Sequence, residues 1–246
     1  GHWEYTESLL FGHMAGRVIE SFYKFFLPPN QKVVAHFHEW MTGSGVLYLK
    51  TNLSQVSTVF STHATVVGRS LAGNGLPIYD HLSDFDGDSR SHEMGVVSKH
   101  SLEKLAANNA DCFATVSDIT ARECQQLLYR PVDVVTPNGF EADFVPKGTD
   151  FPAKRDFARK ELRRVAEALL GYKLSDDVLF VANSGRYEYK NKGIDVFLDS
   201  LRLLSNNSEQ KREILAFTLI PANTSGARQD LKEKLADPKS DIQLDN

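Results

Sequence analysis

Short apolar runs alternate with stretches of helical periodicity along most of the 246 residues, and this alternation limits the fold more than any other feature. Residues 32–37, 56–61, 111–116 and 132–135 are apolar runs of strand length. Between and after them, residues 44–53, 66–72, 96–109 and 119–128 carry apolar side chains at helical spacing. That order predicts a parallel, doubly wound sheet covered by helices. Residues 73–90 are polar and glycine-rich and read as a loop. The composition changes over residues 140–155, where Pro146, Gly148 and Pro152 suit a connection. Residues 156–170 have a strongly helical composition. A second series then starts with a strand at 178–182, a helix at 194–201 and a strand at 214–220. The expected organisation is one domain over residues 1–140, a connecting segment and helix over 141–174, and the start of another domain over 175–246. Both domains read as incomplete.

Several classes of function are excluded early. A net charge of −4 and a pI near 6.1 argue against a nucleic-acid surface. No apolar run approaches the roughly 20 residues of a membrane span. Cys112 and Cys124 are too few for a disulfide framework and form no C-x-x-C pair, so they read as core thiols in a reducing cytoplasm. There is no G-x-G-x-x-G fingerprint and no Walker loop, which counts against a dehydrogenase or a P-loop nucleotidase.

Polar residues collect at the strand ends. The first strand runs into His36-Phe37-His38-Glu39-Trp40, the second into Ser61-Thr62-His63-Ala64-Thr65 with Gly68-Arg69 behind. The third runs into Thr115-Val116-Ser117-Asp118 and the fourth into Thr136-Pro137-Asn138-Gly139. In a parallel sheet these ends share one edge, where α/β proteins bind ligands. In the second series the strand runs into Ser184-Gly185-Arg186-Tyr187-Glu188-Tyr189-Lys190-Asn191-Lys192-Gly193. Arginine offers a planar fork for phosphate oxygens, lysine adds a mobile charge, and the next helix N-terminus adds partial positive charge. The same residues would also suit a solvated turn with a surface ion pair.

The other motifs have plainer readings beside the chemical ones. His36 and His38 lie on one side of a strand next to Glu39, but no third ligand follows at a familiar spacing, so no metal site is expected. Ser117-Asp118 reads as a helix N-cap. Asn138-Gly139 after Pro137 fits a turn as well as a ligand contact. Asp84-Phe85-Asp86-Gly87-Asp88 lacks the glycine and glutamate of a calcium loop and reads as a solvated acidic loop, although it also resembles a manganese-holding D-x-D pair.

Taken in order, the motifs at His36–Trp40, Ser61–Arg69, Thr115–Ala121, Pro137–Gly139 and Gly185–Gly193 resemble glycogen synthases of the animal and fungal type. The resemblance runs over about residues 10–222, nearly the whole chain. It implies an α/β fold of two Rossmann-like, doubly wound parallel-sheet domains of the GT-B type facing each other. It also implies a metal-independent, retaining transfer of glucose from UDP-glucose to the non-reducing end of an α-1,4-glucan such as glycogen. No cofactor beyond the donor substrate is implied, and no nucleic acid or membrane partner; a homo-oligomer is left open. Carried over by position, Arg186, Lys192 and His63 are the expected catalytic residues. Arg69, Glu39, His38, Asn138, Gly139 and Glu188 are the expected substrate-binding residues.

This sequence departs from the family in two respects. It lacks the family's glycine-rich donor loop and its later catalytic glutamate, so it is expected to be a central portion that does not synthesise glucan alone. Residues 151–164 do not match the family's glucose-6-phosphate contacts, so no strong response to that effector is expected. Three alternatives remain at this stage. They are a transferase with another polysaccharide acceptor, a nucleotide- or glucan-binding module without catalysis, and a manganese-dependent sugar transferase using Asp84 and Asp86.

Overall fold

Strands β1 (Val34–His38), β2 (Ser57–Thr62), β3 (Cys112–Thr115) and β4 (Val134–Val135) pair in chain order, and every pairing is parallel. The computed structural model describes residues 2–207, 209, 211–237 and 244. Parallel neighbours need crossover connections, which α2 (Gly43–Asn52), α3 (Val66–Gly73), α4 (Gly87–Glu93), α5 (Val97–Asn109) and α6 (Asp118–Leu127) supply. Their apolar stripes bury Val46, Leu49, Ala106, Ala107, Cys124 and Leu128 against Phe37, Phe60 and Phe113 of the sheet. The opposite side of β1, which bears Val34, His36 and His38, is exposed. This four-stranded unit spans Gly1–Gly139.

The unit opens with α1 (His2–Phe26), a helix of 25 residues over a stretch to which the strand–helix pattern assigns nothing. Its apolar residues lie nearly all round the helix, so no single stripe stands out in the sequence. The packing face is set by small residues. A Cβ on Gly12 would lie 2.4 Å from Ser44 Oγ, and one on Gly16 would lie 2.8 Å from the Tyr48 ring. Ser44 Oγ donates to the Leu9 carbonyl at 2.7 Å, joining α1 to α2.

Residues 87–90, the end of the expected loop, form the first part of helix α4. Asp86 is its N-cap and accepts from Ser89 N–H at 2.8 Å. Polar composition hides this helix, because it buries only Gly87 and Ser91. The acidic run is therefore occupied structurally. Asp88 holds His100 Nε2 at 2.9 Å and Lys104 Nζ at 2.7 Å, and Asp86 also accepts from the Tyr129 hydroxyl.

The second unit, Phe140–Asn246, holds α7 (Asp150–Leu170), β5 (Leu179–Ser184), α8 (Ile194–Ser205), β6 (Ile214–Leu219) and α9 (Gln229–Ala236). Strands β5 and β6 are parallel over their whole length. Its core is small: Ala166, Leu174 and Val178, with Phe180 and Leu215 packed on them. The Arg159 guanidinium lies 4.3 Å from the Phe180 ring centroid and donates to the Val178 carbonyl, so α7 is tied to β5.

Candidate functional site

Because all four strands of the first unit run the same way, His38, His63, Thr115 and Asn138 stand at or just past one edge of the sheet. Backbone bonds extend the ladder beyond the strands: Glu39 N–H donates to the Ser61 carbonyl at 2.8 Å, and Thr136 N–H to Thr115 at 2.7 Å. The His36 and His38 rings are 4.0 Å apart, and His38 lies 5.8 Å from His63. His36 Nε2 meets Ser61 Oγ at 2.8 Å. Partial burial, then the neighbouring His38 and His63, lower the His36 pKa. Asn138 and Gly139 are exposed after β4. Among the described residues no three His, Cys, Asp or Glu side chains are grouped so as to hold a metal ion.

Glu39 has φ 65° and ψ 163°, a backbone region that is close to glycine-only. Holding a glutamate there costs on the order of 1–3 kcal/mol. Its surroundings fix it. Thr42 Oγ1 donates to the His38 carbonyl at 2.7 Å, Trp40 is buried behind, and the Glu39 carboxylate accepts from His63 N–H at 3.0 Å. The strained residue thus braces the histidine turn.

His63 lies on the turn between β2 and α3, and Arg69 lies on α3, where its N–H donates to the Thr65 carbonyl. Thr65 is the N-cap of α3 and accepts from Gly68 N–H at 3.0 Å. Two buried glutamates, neither singled out from the sequence, meet this turn from below. Glu103 of α5 accepts from Val66 N–H at 2.9 Å. Glu123 of α6 accepts from Thr65 N–H at 2.9 Å, from the Thr65 hydroxyl at 2.5 Å, and from the Tyr79 hydroxyl at 3.0 Å. A signal existed in the spacing. Glu103 falls among His100, Leu102, Ala106 and Ala107, and Glu123 among Thr120, Cys124 and Leu127, on the buried faces of their helices.

Burial without a cation pushes the Glu103 carboxyl up to about 8; bonds from Val66 and Thr62 oppose the shift, while Glu39 and Glu123 add to it. The hydrogen-bond geometry agrees. Thr62 Oγ1 has one proton but two acceptors, Glu103 Oε1 at 2.8 Å and the Ala64 carbonyl at 3.2 Å. A proton on Glu103 lets the acid donate to Thr62 and frees the Thr62 proton for Ala64. Burial and the neighbouring Glu123 push the Tyr79 phenol up to about 12, so it remains a donor. Burial likewise raises the Cys124 thiol, which makes it a core group and not a nucleophile.

This sets the sign of a pH effect. Between about 4.5, its unperturbed value, and about 8, folded Glu103 holds a proton that the unfolded chain has released. Stability therefore falls as pH rises through that window and levels off above it. Glu103→Gln keeps the neutral shape, so thermal melts from pH 5 to 8 are expected to show the variant gaining on the wild type. A constant gap across that range would show that Glu103 ionises normally.

In the second unit, β5 ends at Ser184 and the turn closes on itself. Lys192 N–H donates to the Glu188 carbonyl at 3.0 Å and Ile194 N–H to Tyr189 at 3.1 Å. Gly193 at the start of α8 has φ 62°, a conformation that glycine adopts without strain. Arg186 is 62% exposed and pairs with the Glu188 carboxylate at 2.8 Å. The Lys192 stem lies over Gly185, within 3.4 Å of where a Cβ would be. Lys190 instead turns to Asp195, at 2.8 Å. The three expected residues Arg186, Glu188 and Lys192 are thus gathered on one turn at the N-terminal end of α8. Apart from that turn, Lys160, Arg163, Arg164, Lys173 and Lys234 help line a cavity of about 460 Å³ along α7 and α9. Arg163 is spent there on the Leu174 and Ser175 carbonyls.

Parallel sheets with helices against them and polar turns at their carboxyl ends define an α/β protein. The solved structure titled "OtsA apo structure" shares the fold, with a TM-score of 0.51 over 94% of this chain and 46% of that one, at 14% identity. The chain belongs to the glycogen synthase family, whose model matches residues 2–236. Among curated relatives, it is 35% identical over 232 residues to the glycogen [starch] synthase of Dictyostelium discoideum, covering 90% of this chain and 26% of that protein. The Neurospora crassa glycogen [starch] synthase is 32% identical over 234 residues, covering 90% of this chain and 32% of the relative. Isoform 1 of the Saccharomyces cerevisiae enzyme is 35% identical over 207 residues, covering 81% and 29%. The chain thus spans about a quarter to a third of the length of these relatives.

Proposed function

We propose that this chain carries the donor-binding elements of a retaining glycosyltransferase that moves glucose from UDP-glucose to the non-reducing end of an α-1,4-glucan. The observation that carries the reading is the turn after β5, where Arg186 and Lys192 stand together at the N-terminal end of α8 in a member of the glycogen synthase family. Departing UDP gains negative charge on its diphosphate in the transition state. Cations already fixed there stabilise that charge more than the ground state, which is how they accelerate the step. Glu188 holds the Arg186 guanidinium in one orientation, and the start of α8 adds its partial positive charge. On the first unit, His63 and Arg69 are assigned to the donor, with His38, Glu39, Asn138 and Gly139 lining the same sheet edge.

The reading needs no metal and no cofactor, since protein cations take the role a divalent ion would have. Asp84 and Asp86 are poor candidates for such an ion, because Asp86 is committed to Ser89 and Tyr129, which hold its carboxyl down at about 2. A cytoplasmic setting is supported by the two free cysteines; among the described residues no helix is long and apolar enough to cross a membrane.

Calorimetry with UDP tests the donor assignment directly. Binding is expected to be unchanged when EDTA removes divalent ions, and to weaken about tenfold or more in the Arg186→Ala, Lys192→Ala double variant. A requirement for manganese, or no loss in the double variant, would overturn the assignment.

A further inference from the structure

We propose that Glu103 and Glu123 are positioning residues for donor binding: by holding the first backbone amides of α3 they fix where His63 and Arg69 stand. The proposal rests on the reading that His63 and Arg69 face the sugar nucleotide. Neither glutamate belongs to that turn, and they come from two different helices, α5 and α6, each fully or almost fully buried at 0% and 3% exposure. Between them they take Thr62 Oγ1, Thr65 N–H, Thr65 Oγ1 and Val66 N–H. Glu39 takes His63 N–H from the front. Three acidic side chains thus secure four of the five residues 62–66, at the start of the helix that carries Arg69.

Thr65 caps α3 through Gly68 N–H, which leaves the amides of Thr65 and Val66 without an intrahelical partner, and acidic groups from two other helices take both. Burying two carboxylates is costly unless each is satisfied, and their arrangement shows what satisfies them. Glu103 bonds Thr62 and Val66 and Glu123 bonds Thr65, all in the turn, while Tyr79 closes the remaining Glu123 oxygen. The space is shaped for it as well. A Cβ on Gly68 would fall 2.2 Å from Glu123 Oε1 and 2.5 Å from its Cδ, so the carboxylate reaches Thr65 only because residue 68 has no side chain. A nucleotide-binding group is useful only if its position is fixed to within about half an ångström, and helices packed behind the turn provide that more rigidly than the turn itself.

The test is a double-mutant cycle on the whole enzyme, read by calorimetry with UDP and by the KM and kcat for UDP-glucose. Arg69→Ala is expected to weaken UDP at least tenfold, and Glu123→Ala to weaken it by a similar factor with a rise in KM larger than the fall in kcat. Combined, they should weaken binding little beyond Arg69→Ala alone, because the glutamate acts through the arginine turn. Full multiplication of the two effects, or unchanged UDP affinity in Glu123→Ala, would overturn the proposal. If Arg69→Ala itself leaves UDP affinity unchanged, the donor assignment fails first and the proposal with it, so the two failures are separable. Should Glu123→Ala not fold, Thr65→Val removes the hydroxyl bonds to Glu123 and to Gly68 N–H while keeping the side-chain shape, and the same cycle applies to it with Thr65→Ser, which keeps both bonds, as its control. Glu103 is read by rescue: Glu103→Leu should raise KM for UDP-glucose, and Glu103→Gln, which keeps both hydrogen bonds, should recover most of the loss. Equal damage from both substitutions would refute the hydrogen-bonding role.

Discussion

Replacing Arg186 or Lys192 by alanine is expected to lower the turnover of the whole enzyme by about two orders of magnitude, with a smaller change in acceptor affinity. The magnitude follows from removing one preorganised charge beside a developing diphosphate, which in comparable oxyanion sites costs on the order of 3 kcal/mol. The structure supplies an internal control on the same turn. Lys190 carries the same charge two residues before Lys192, but its ammonium is held by Asp195 at 2.8 Å. Lys190→Ala should therefore be mild. Steady-state kinetics with varied UDP-glucose and fixed glycogen make the comparison. Equal losses at Lys190 and Lys192 would mean that general charge, and not position, is what the turn contributes. Unchanged turnover in both Arg186→Ala and Lys192→Ala would end the catalytic assignment.

Gly87→Ala is expected to be the most damaging small substitution in the first unit, at about 3 kcal/mol. The residue sits in the acidic run, where a sequence reading finds only a loop. In the structure it is the first residue of α4 and lies against the end of α6. An added Cβ would stand 2.0 Å from the Leu127 carbonyl oxygen and 2.8 Å from its carbon. Those are backbone atoms of a residue whose side chain is fully buried, so no rotamer change relieves the clash. Helix α4 must move, and Asp88 then leaves His100 and Lys104. Urea unfolding followed by tryptophan fluorescence measures the effect, since Trp40 reports on the first unit. A midpoint close to that of the wild type would show that α4 can slide away from α6 without cost.

Much of the first sheet was legible from the chain. Residues 32–37, 56–61 and 111–116 were expected as strands, and β1, β2 and β3 occupy them to within two residues at each end. Ser117 was expected to cap a helix, and it accepts from Thr120 N–H at 3.2 Å. What failed did so for definite reasons. Helix α1 has apolar residues on most of its surface, and its packing face is marked by Gly12 and Gly16 instead of by large side chains. Helix α4 is polar throughout and is stabilised by caps and ion pairs, which leave no hydrophobic period. Glu103 and Glu123 look like ordinary solvent-facing acids in helical sequence, and only their place in the buried stripe betrays them.

The sequence by itself determined what depends on neighbours along the chain. The order of strands and helices follows from apolar spacing, and the polar strand ends, the caps and the signature turn follow from residues a few positions apart. The tertiary structure alone decided which buried groups those polar strand ends are bonded to. Glu103 meets Thr62 across 41 positions, and Glu123 meets Thr65 across 58. Local spacing contains no information about such pairs. Whether a carboxylate keeps its charge depends on the water it has lost and the donors that replace it, and both are properties of helices packed against a sheet. The family signature singles out Lys192 over Lys190, but the partners themselves come from the fold, which sends Lys190 to Asp195 and lays the Lys192 stem over Gly185.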